Sequence, residues 1–311
     1  MPYALGSTWK DYFLVNDIRH IATGNFYVGT ISTIEHGPIS FKTFLTDKIN
    51  AGEAIWLRGR VEEYNDQPQM QCFEMRPVTK EEISSSEIRE KLVPTSPNNR
   101  EWTMQQLFTA IQYIGHKWLR EICDAIYREY RFVLKDLPAG IRMHHSYLGG
   151  WIDHTEGMLE SAQALANIYG DVVNKDLLTA GVLLHDIGKV KEFQLSPLGL
   201  VSSYTPAGNG LGHPLIGTML VHEYAVRLGC ENDDMVLALE NMIIAHSGKY
   251  EWGMGKLPFT YEAMILQAVD FLDSRADVFR HINETTDIGT CTDIIRSEGG
   301  RMFRPNPDWE G

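Results

Sequence analysis

The chain is predicted to be an α+β multidomain protein, a small closed β-barrel followed by an all-α domain. Three observations carry that prediction. Five short runs rich in aromatic and β-branched residues fall within the first 78 residues, and amphipathic helical runs take over from Trp102. Six histidine and aspartate residues then lie inside those helical runs or at their ends.

The strand runs are YFLV at 12–15, NFYVGTISTI at 25–34, ISFKTFLT at 39–46, EAIWLRGRVEEY at 53–64 and PQMQCFEMRPV at 68–78, with turn residues between them. The commonest barrel of five short strands is the OB-fold, so residues 1–80 are expected to form an OB-like domain. In the fourth run Ile55, Leu57, Gly59 and Val61 fall on one face, and Trp56, Arg58 and Arg60 on the other. A tryptophan beside two arginines on a barrel surface can stack a base and hold its phosphates. The same stripe equally fits a solvated face whose tryptophan packs on a neighbouring domain.

Residues 81–140 open with a Glu- and Ser-rich helical piece and the proline-containing PTSPNNR, and are read as a helical linker with a boundary near 95. Helices are expected over 104–132, 147–169, 175–189, 213–228, 233–246 and 261–281. Turn signals such as Leu137-Pro138-Ala139-Gly140 and Gly208-Asn209-Gly210 separate them. Residues 141–285 thus form the helical domain. Residues 286–311, with Gly299, Gly300, Pro305 and Pro307, read as an irregular tail.

His185 and Asp186 stand side by side in LLHDIGK, inside an otherwise apolar run. Burying an imidazole and a carboxylate without partners costs several kcal/mol, and a divalent cation offsets that cost. His154, His213, His246 and Asp270 lie on other helical runs, and a bundle can converge all six in its core. Six nitrogen and oxygen donors exceed what one tetrahedral ion takes, whereas one aspartate shared by two ions fits a pair of borderline metals. Such a site activates water for hydrolysis. The competing explanation makes His185 a satisfied core histidine and Asp186 a helix-end cap, and it must hold separately at all six positions.

Lys189, one helical turn past His185, either reaches a non-bridging phosphate oxygen as a point charge or complements the dipole of a helix end. His144 and His145, in RMHHSYLGGWIDHT, either touch phosphate or nucleobase from a loop or serve in capping and packing.

Composition narrows the class. Hydrophobic content of 43% with 22% charged residues is globular. No stretch approaches the roughly 18 apolar residues of a membrane span, and MPYALGSTWKDYF has no secretory pattern, so a cytoplasmic protein without a membrane partner is expected. Cys72, Cys123, Cys230 and Cys291 form no CxxC pair and read as core thiols. The net charge of -13 argues against binding nucleic acid by bulk electrostatics. Basic and acidic residues balance over 1–80 (8 against 9) and 81–150 (9 against 9), and the excess of acid lies in 151–311 (11 against 23). The first half can therefore touch a polyanion locally.

The constellation resembles the HD superfamily of metal-dependent phosphohydrolases, whose pattern is H…HD…D with extra histidines in its two-metal members. His154, His185-Asp186 and Asp270 match the core pattern, and His213 in GLGHP and His246 in IIAHSGKYEWG match the added positions. The resemblance implies one metal held by His154, His185, Asp186 and Asp270, and a second held by Asp186, His213 and His246. It also favours a catalytic Lys189 and makes Asp186 the residue whose loss is worst. With the barrel in front, HHSYLGGWIDHT, LLHDIGKVKEF, LGHPLIG and HSGKYEWG resemble the YhaM-type 3′-to-5′ exoribonucleases.

That resemblance implies a manganese-dependent nuclease that shortens single strands, RNA favoured and DNA also open, to nucleoside monophosphates, and that assembles into homo-oligomers. Iron, nickel, cobalt and zinc suit the same donors. Ser247 departs from the pattern, since relatives often carry a second histidine there. Two other functions stay open: hydrolysis of free or cyclic nucleotides by the same ligands, and nucleic-acid binding or regulation without catalysis.

Overall fold

Alternating burial along the first 77 residues builds the barrel. The computed structural model describes residues 3–44, 49–141, 145–247, 256–295 and 299–307. Strands β1 (Thr8–Ile21), β2 (Phe26–Thr33), β3 (Gly37–Thr43), β4 (Ala54–Tyr64) and β5 (Gln67–Pro77) close in the order β1-β2-β3-β5-β4. β1 is far longer than the run expected at 12–15, because closure uses it twice. Its first half pairs with β4 and its second half with β2, with a bulge between Val15 and Asp17. Inward residues Phe13, Val15, Ile31, Phe41, Ile55, Leu57, Val61 and Met70 are fully buried, whereas Arg58 and Arg60 point outward as the alternation of β4 requires.

Two short helices follow the barrel, α1 (Lys80–Ile83) and α2 (Ser86–Leu92). The first is closed by a Thr79/Glu82 capping box. Glu82 also receives both guanidinium nitrogens of Arg76 at 2.8 Å and the Tyr12 hydroxyl at 3.0 Å.

The helical body contains α3 (Arg100–Tyr113), α4 (Lys117–Asp136), α5 (Gly150–Ile168), α6 (Lys175–Leu184), α7 (Lys189–Glu192), α8 (Pro206–Leu228), α9 (Asp234–Ala245) and α10 (Tyr261–Thr285). A hairpin of β6 (Phe193–Leu195) and β7 (Val201–Tyr204) interrupts α7 and α8. The single helix expected over 104–132 is in fact two. The chain turns extended at Ile114, the Asp176 carboxylate accepts the His116 amide at 2.7 Å, and the His116 ring caps the start of α4. Likewise the helix expected over 175–189 ends at Leu184, and residues 185–188 form turns before α7.

The chain divides into two compact units, residues 1–97 with 194–203, and residues 98–193 with 204–311. The stretch expected as a separate linker is thereby split, since residues 98–140 belong to the helical unit. The core of that unit holds Trp151 and Tyr127, whose polar atoms bond to the Asp186 carbonyl at 3.3 Å and the Leu183 carbonyl at 2.9 Å. These two bonds tether the aromatic core to the HD turn. Among the described residues no helix is long and apolar enough to cross a membrane.

Candidate metal centre

The six expected ligands are delivered by helix interiors, helix C-caps and a glycine kink. His154 lies one turn into α5, and His185 is the C-cap of α6 with Asp186 next to it. His246 is the C-cap of α9, and Asp270 sits in α10. His213 follows a kink in α8, where Gly212 adopts φ 73° and ψ 156°. That backbone region is open essentially to glycine alone. The kink turns the His213 amide onto buried Glu192, whose Oε1 accepts it at 2.9 Å.

The six side chains meet around the Asp186 carboxylate. Its Oδ2 lies 3.3 Å from His185 Nε2 and 3.9 Å from His154 Nε2. Its Oδ1 lies 3.2 Å from His213 Nε2 and 3.7 Å from His246 Nε2. Asp270 Oδ1 is 3.3 Å from His154 Nε2, and the Nε2 atoms of His213 and His246 are 3.3 Å apart. All four imidazoles therefore present the same nitrogen inward.

The other nitrogen of each ring is already held. Nδ1 of His154 meets Asp273 at 2.7 Å, that of His185 the Val182 carbonyl at 2.8 Å, that of His213 Glu192 at 3.1 Å, and that of His246 the Ile243 carbonyl at 2.7 Å. An acceptor at Nδ1 keeps the proton there and leaves Nε2 as the bare donor a cation requires. His185 Nε2 is buried and has no hydrogen-bond partner among the described residues. That orphaned atom fits a metal, because a buried polar atom without a partner is otherwise costly.

The electrostatics agree for Asp186, Asp270, Asp273 and His246. Burial would raise the Asp186 carboxyl, but the Lys189 ammonium together with His185 and His213 holds it well below the usual carboxylate range. Burial likewise opposes ionisation of Asp270 and Asp273, yet hydrogen bonds from His154, and for Asp273 from His145 as well, keep both carboxyls low. His246 is pushed down to about 4 by burial and by neighbouring His185, so it is neutral at physiological pH. His154 goes the other way. Burial lowers it, but Asp270 and Asp273 raise it to about 9.

Two expectations change on contact with the geometry. Lys189 is buried and its ammonium already donates to Asp186 Oδ2 at 2.5 Å and to the Ala139 carbonyl at 2.7 Å. Its charge is thus engaged by the central carboxylate. His145 is 4% exposed and bonded at both ring nitrogens, so it has no open face for phosphate or base. His144 lies outside the described residues. Asp273, Glu192, Tyr147 and Asp153 support the site and were not anticipated. Asp273, three residues past Asp270, carried a readable signal, because that spacing stays on one helical face.

On the barrel, Trp56 is half-buried between Lys10 and Arg76, at 5.8 and 5.4 Å from its ring. Arg58 pairs with Glu74 at 2.9 Å and Arg60 bonds the Gly6 carbonyl at 3.3 Å, both exposed. A separate groove of about 570 Å³ is lined by Arg19, Phe26, Ser40, Tyr64 and Gln69. Beside it Lys42 lies over the rings of Phe26 and Phe44, at 4.4 and 5.1 Å.

Comparison with known proteins fits this architecture. The HD domain model matches residues 151–275, the segment carrying all six converging side chains. A 3′-5′ exoribonuclease YhaM of Listeria welshimeri is 32% identical over 100% of this chain and 98% of its own length. The chain belongs to the YhaM exoribonuclease family. The Bacillus subtilis YhaM is 32% identical over 79% of this chain and 76% of its own, and a Geobacillus YhaM is 36% identical over 67% and 63%. The similarity to the Listeria welshimeri protein spans both the barrel and the HD domain of this chain.

Proposed function

We propose that this protein is a metal-dependent 3′-to-5′ exoribonuclease in which the helical unit hydrolyses the terminal phosphodiester and the barrel binds the single strand. One observation carries the hydrolytic half: the two oxygens of Asp186 face two different histidine pairs, His154 with His185 and His213 with His246. A carboxylate so divided suits two ions. The first would be held by His154, His185, Asp186 and Asp270, and the second by Asp186, His213 and His246. The mixed nitrogen and oxygen donors suit Mn2+, and equally Fe, Ni, Co or Zn.

Divalent ions in such a site polarise phosphoryl oxygens and make water nucleophilic near neutral pH. The protein's own part is to keep Asp186 ionised, aim each Nε2 inward and limit bulk water by burying four of the six ligating groups deeply, with Asp270 and His213 part-exposed. Lys189 balances the central carboxylate until cations take up that charge. The exposed Arg58 and Arg60 with Trp56, or the groove around Phe26 and Tyr64, offer the barrel's stacking and phosphate contacts. Membership in an exoribonuclease family supports RNA as the strand. Free thiols at buried Cys123 and Cys230 suit a reducing cytoplasm. Exposed Tyr113 and Phe132 suit a homo-oligomer.

Single-stranded RNA and DNA labelled at the 5′ end, incubated with the full chain and Mn2+, should yield progressively shorter strands and mononucleotides. Asp186→Ala should abolish this. Strands left intact at saturating metal would overturn the assignment.

A further inference from the structure

α10 carries more carboxylates than the ligand set uses. Asp270, Asp273 and Asp277 recur at helical spacing, and the latter two both reach His145. Asp273 Oδ2 lies 2.7 Å from His154 Nδ1 and 3.1 Å from His145 Nε2. On the far side of the His145 ring, Nδ1 is 2.9 Å from the Tyr147 hydroxyl, which donates to Asp153 at 3.0 Å, and Asn98 donates to Asp153 at 3.2 Å. The His145 amide donates to Asp277 at 2.8 Å and its carbonyl accepts from Ala139 at 3.1 Å. α5 makes room for the chain at Gly157, where a Cβ would stand 2.6 Å from Asp273 Oδ1.

We propose that His145 is a positioning residue that acts through Asp273 to fix the tautomer and ring angle of the metal ligand His154. The proposal rests on the metal reading above. His154 can ligate through Nε2 only if Nδ1 keeps its proton and has a fixed acceptor. A carboxylate held by one contact can swing about its own torsion. Sharing Oδ2 between His154 and His145 removes that freedom, and Tyr147 and Asp153 hold His145 in turn.

The backbone says the same. His145 sits at φ 47°, an unusual conformation for a residue with a side chain, and it persists because contacts on the amide, the carbonyl and both ring nitrogens over-determine it. Its burial leaves no surface for a nucleotide. The sequence alone left substrate contact and packing open at this position, and the geometry selects support of the metal site.

The test is titration of the full chain with Co2+, followed by visible absorbance, for the wild type, His145→Asn, Asp273→Asn and Tyr147→Phe. Asparagine tolerates the left-handed backbone but is too short to replace the ring nitrogen that meets Asp273. For His145→Asn and Asp273→Asn one of two cobalt ions should bind at least about tenfold more weakly and the other unchanged. Tyr147→Phe, which keeps the packing, should weaken that same ion to a smaller degree. At saturating cobalt the KM for RNA should stay at the wild-type value.

Unchanged cobalt binding with a raised KM would overturn the proposal in favour of strand contact. Equal weakening of both ions would overturn it in favour of general destabilisation. A wild type that takes up no cobalt would sink the metal reading itself, a result distinct from both.

Discussion

Glu192 is the support on the other side of the centre, and its removal should separate the two ions. Its Oε1 accepts both the amide and Nδ1 of His213, at 2.9 and 3.1 Å, from a buried position against Gly208. Glu192→Gln can keep its oxygen in that place and lose only the charge, so both hydrogen bonds survive. Glu192→Ala loses both and leaves a partly buried donor unsatisfied, at a cost of about 1–3 kcal/mol of stability. Loss of an outer-shell partner weakens metal binding by about 10–100-fold, or about 1.4–2.8 kcal/mol at 1.4 kcal/mol per tenfold. We expect the lower end for Gln and the upper end for Ala, confined to the ion facing His213 and His246.

Calorimetric titration with Mn2+ at fixed pH resolves the two binding steps, and a thermal melt reports the stability loss. Equal weakening of both steps, or Gln and Ala both matching wild type, would refute the view that Glu192 acts by orienting His213.

Gly212→Ala should lower the melting temperature by the equivalent of about 1–3 kcal/mol and impair nuclease activity, since the residue before His213 must occupy a region open essentially to glycine. Acid should loosen the barrel at Glu82, whose carboxyl is pulled down to about 2, chiefly by the hydrogen bonds from Arg76. Because the folded value is depressed, this contribution is complete above the ordinary carboxylate value near 4.5 and disappears as pH falls through about 2. Glu82→Gln should erase that part of the pH dependence in acid melts, and an unaltered profile would disprove it. Arg58→Ala with Arg60→Ala should weaken binding of long single strands and flatten its salt dependence. If Lys42→Ala has that effect and the arginine pair does not, the strand lies along the Phe26 groove.

Much of this was legible in the sequence, for physical reasons. Residues 55–62 alternate, so the buried and exposed faces of β4 could be read directly. The six converging residues stood out because imidazoles and carboxylates in apolar helices demand partners. What stayed hidden depends on contacts distant in the chain. β1 begins at Thr8 because a second strand pairs with it there, which no local pattern announces through Lys10 and Asp11. The break at Gly115 needed Asp176, 61 residues onward, to hold the His116 amide. Nothing in the sequence sets Glu192 and Asp153 apart from other acids in helices, and only the fold shows that each faces a hydrogen-bond donor. The spacing marks out Lys189 but does not announce its ion pair with Asp186.

α10 works as a ruler. Three carboxylates on one rigid rod set the height of His154 and His145 together, so their mutual spacing cannot drift by side-chain adjustment alone. A substitution at Asp270 or Asp277 disturbs one histidine, and one at Asp273 disturbs two. A single inserted residue ahead of Asp270 would rotate every mark by about 100° and disarm the whole set at once. This helix should therefore accept changes of residue on its solvent side while rejecting any change of length upstream of Asp277.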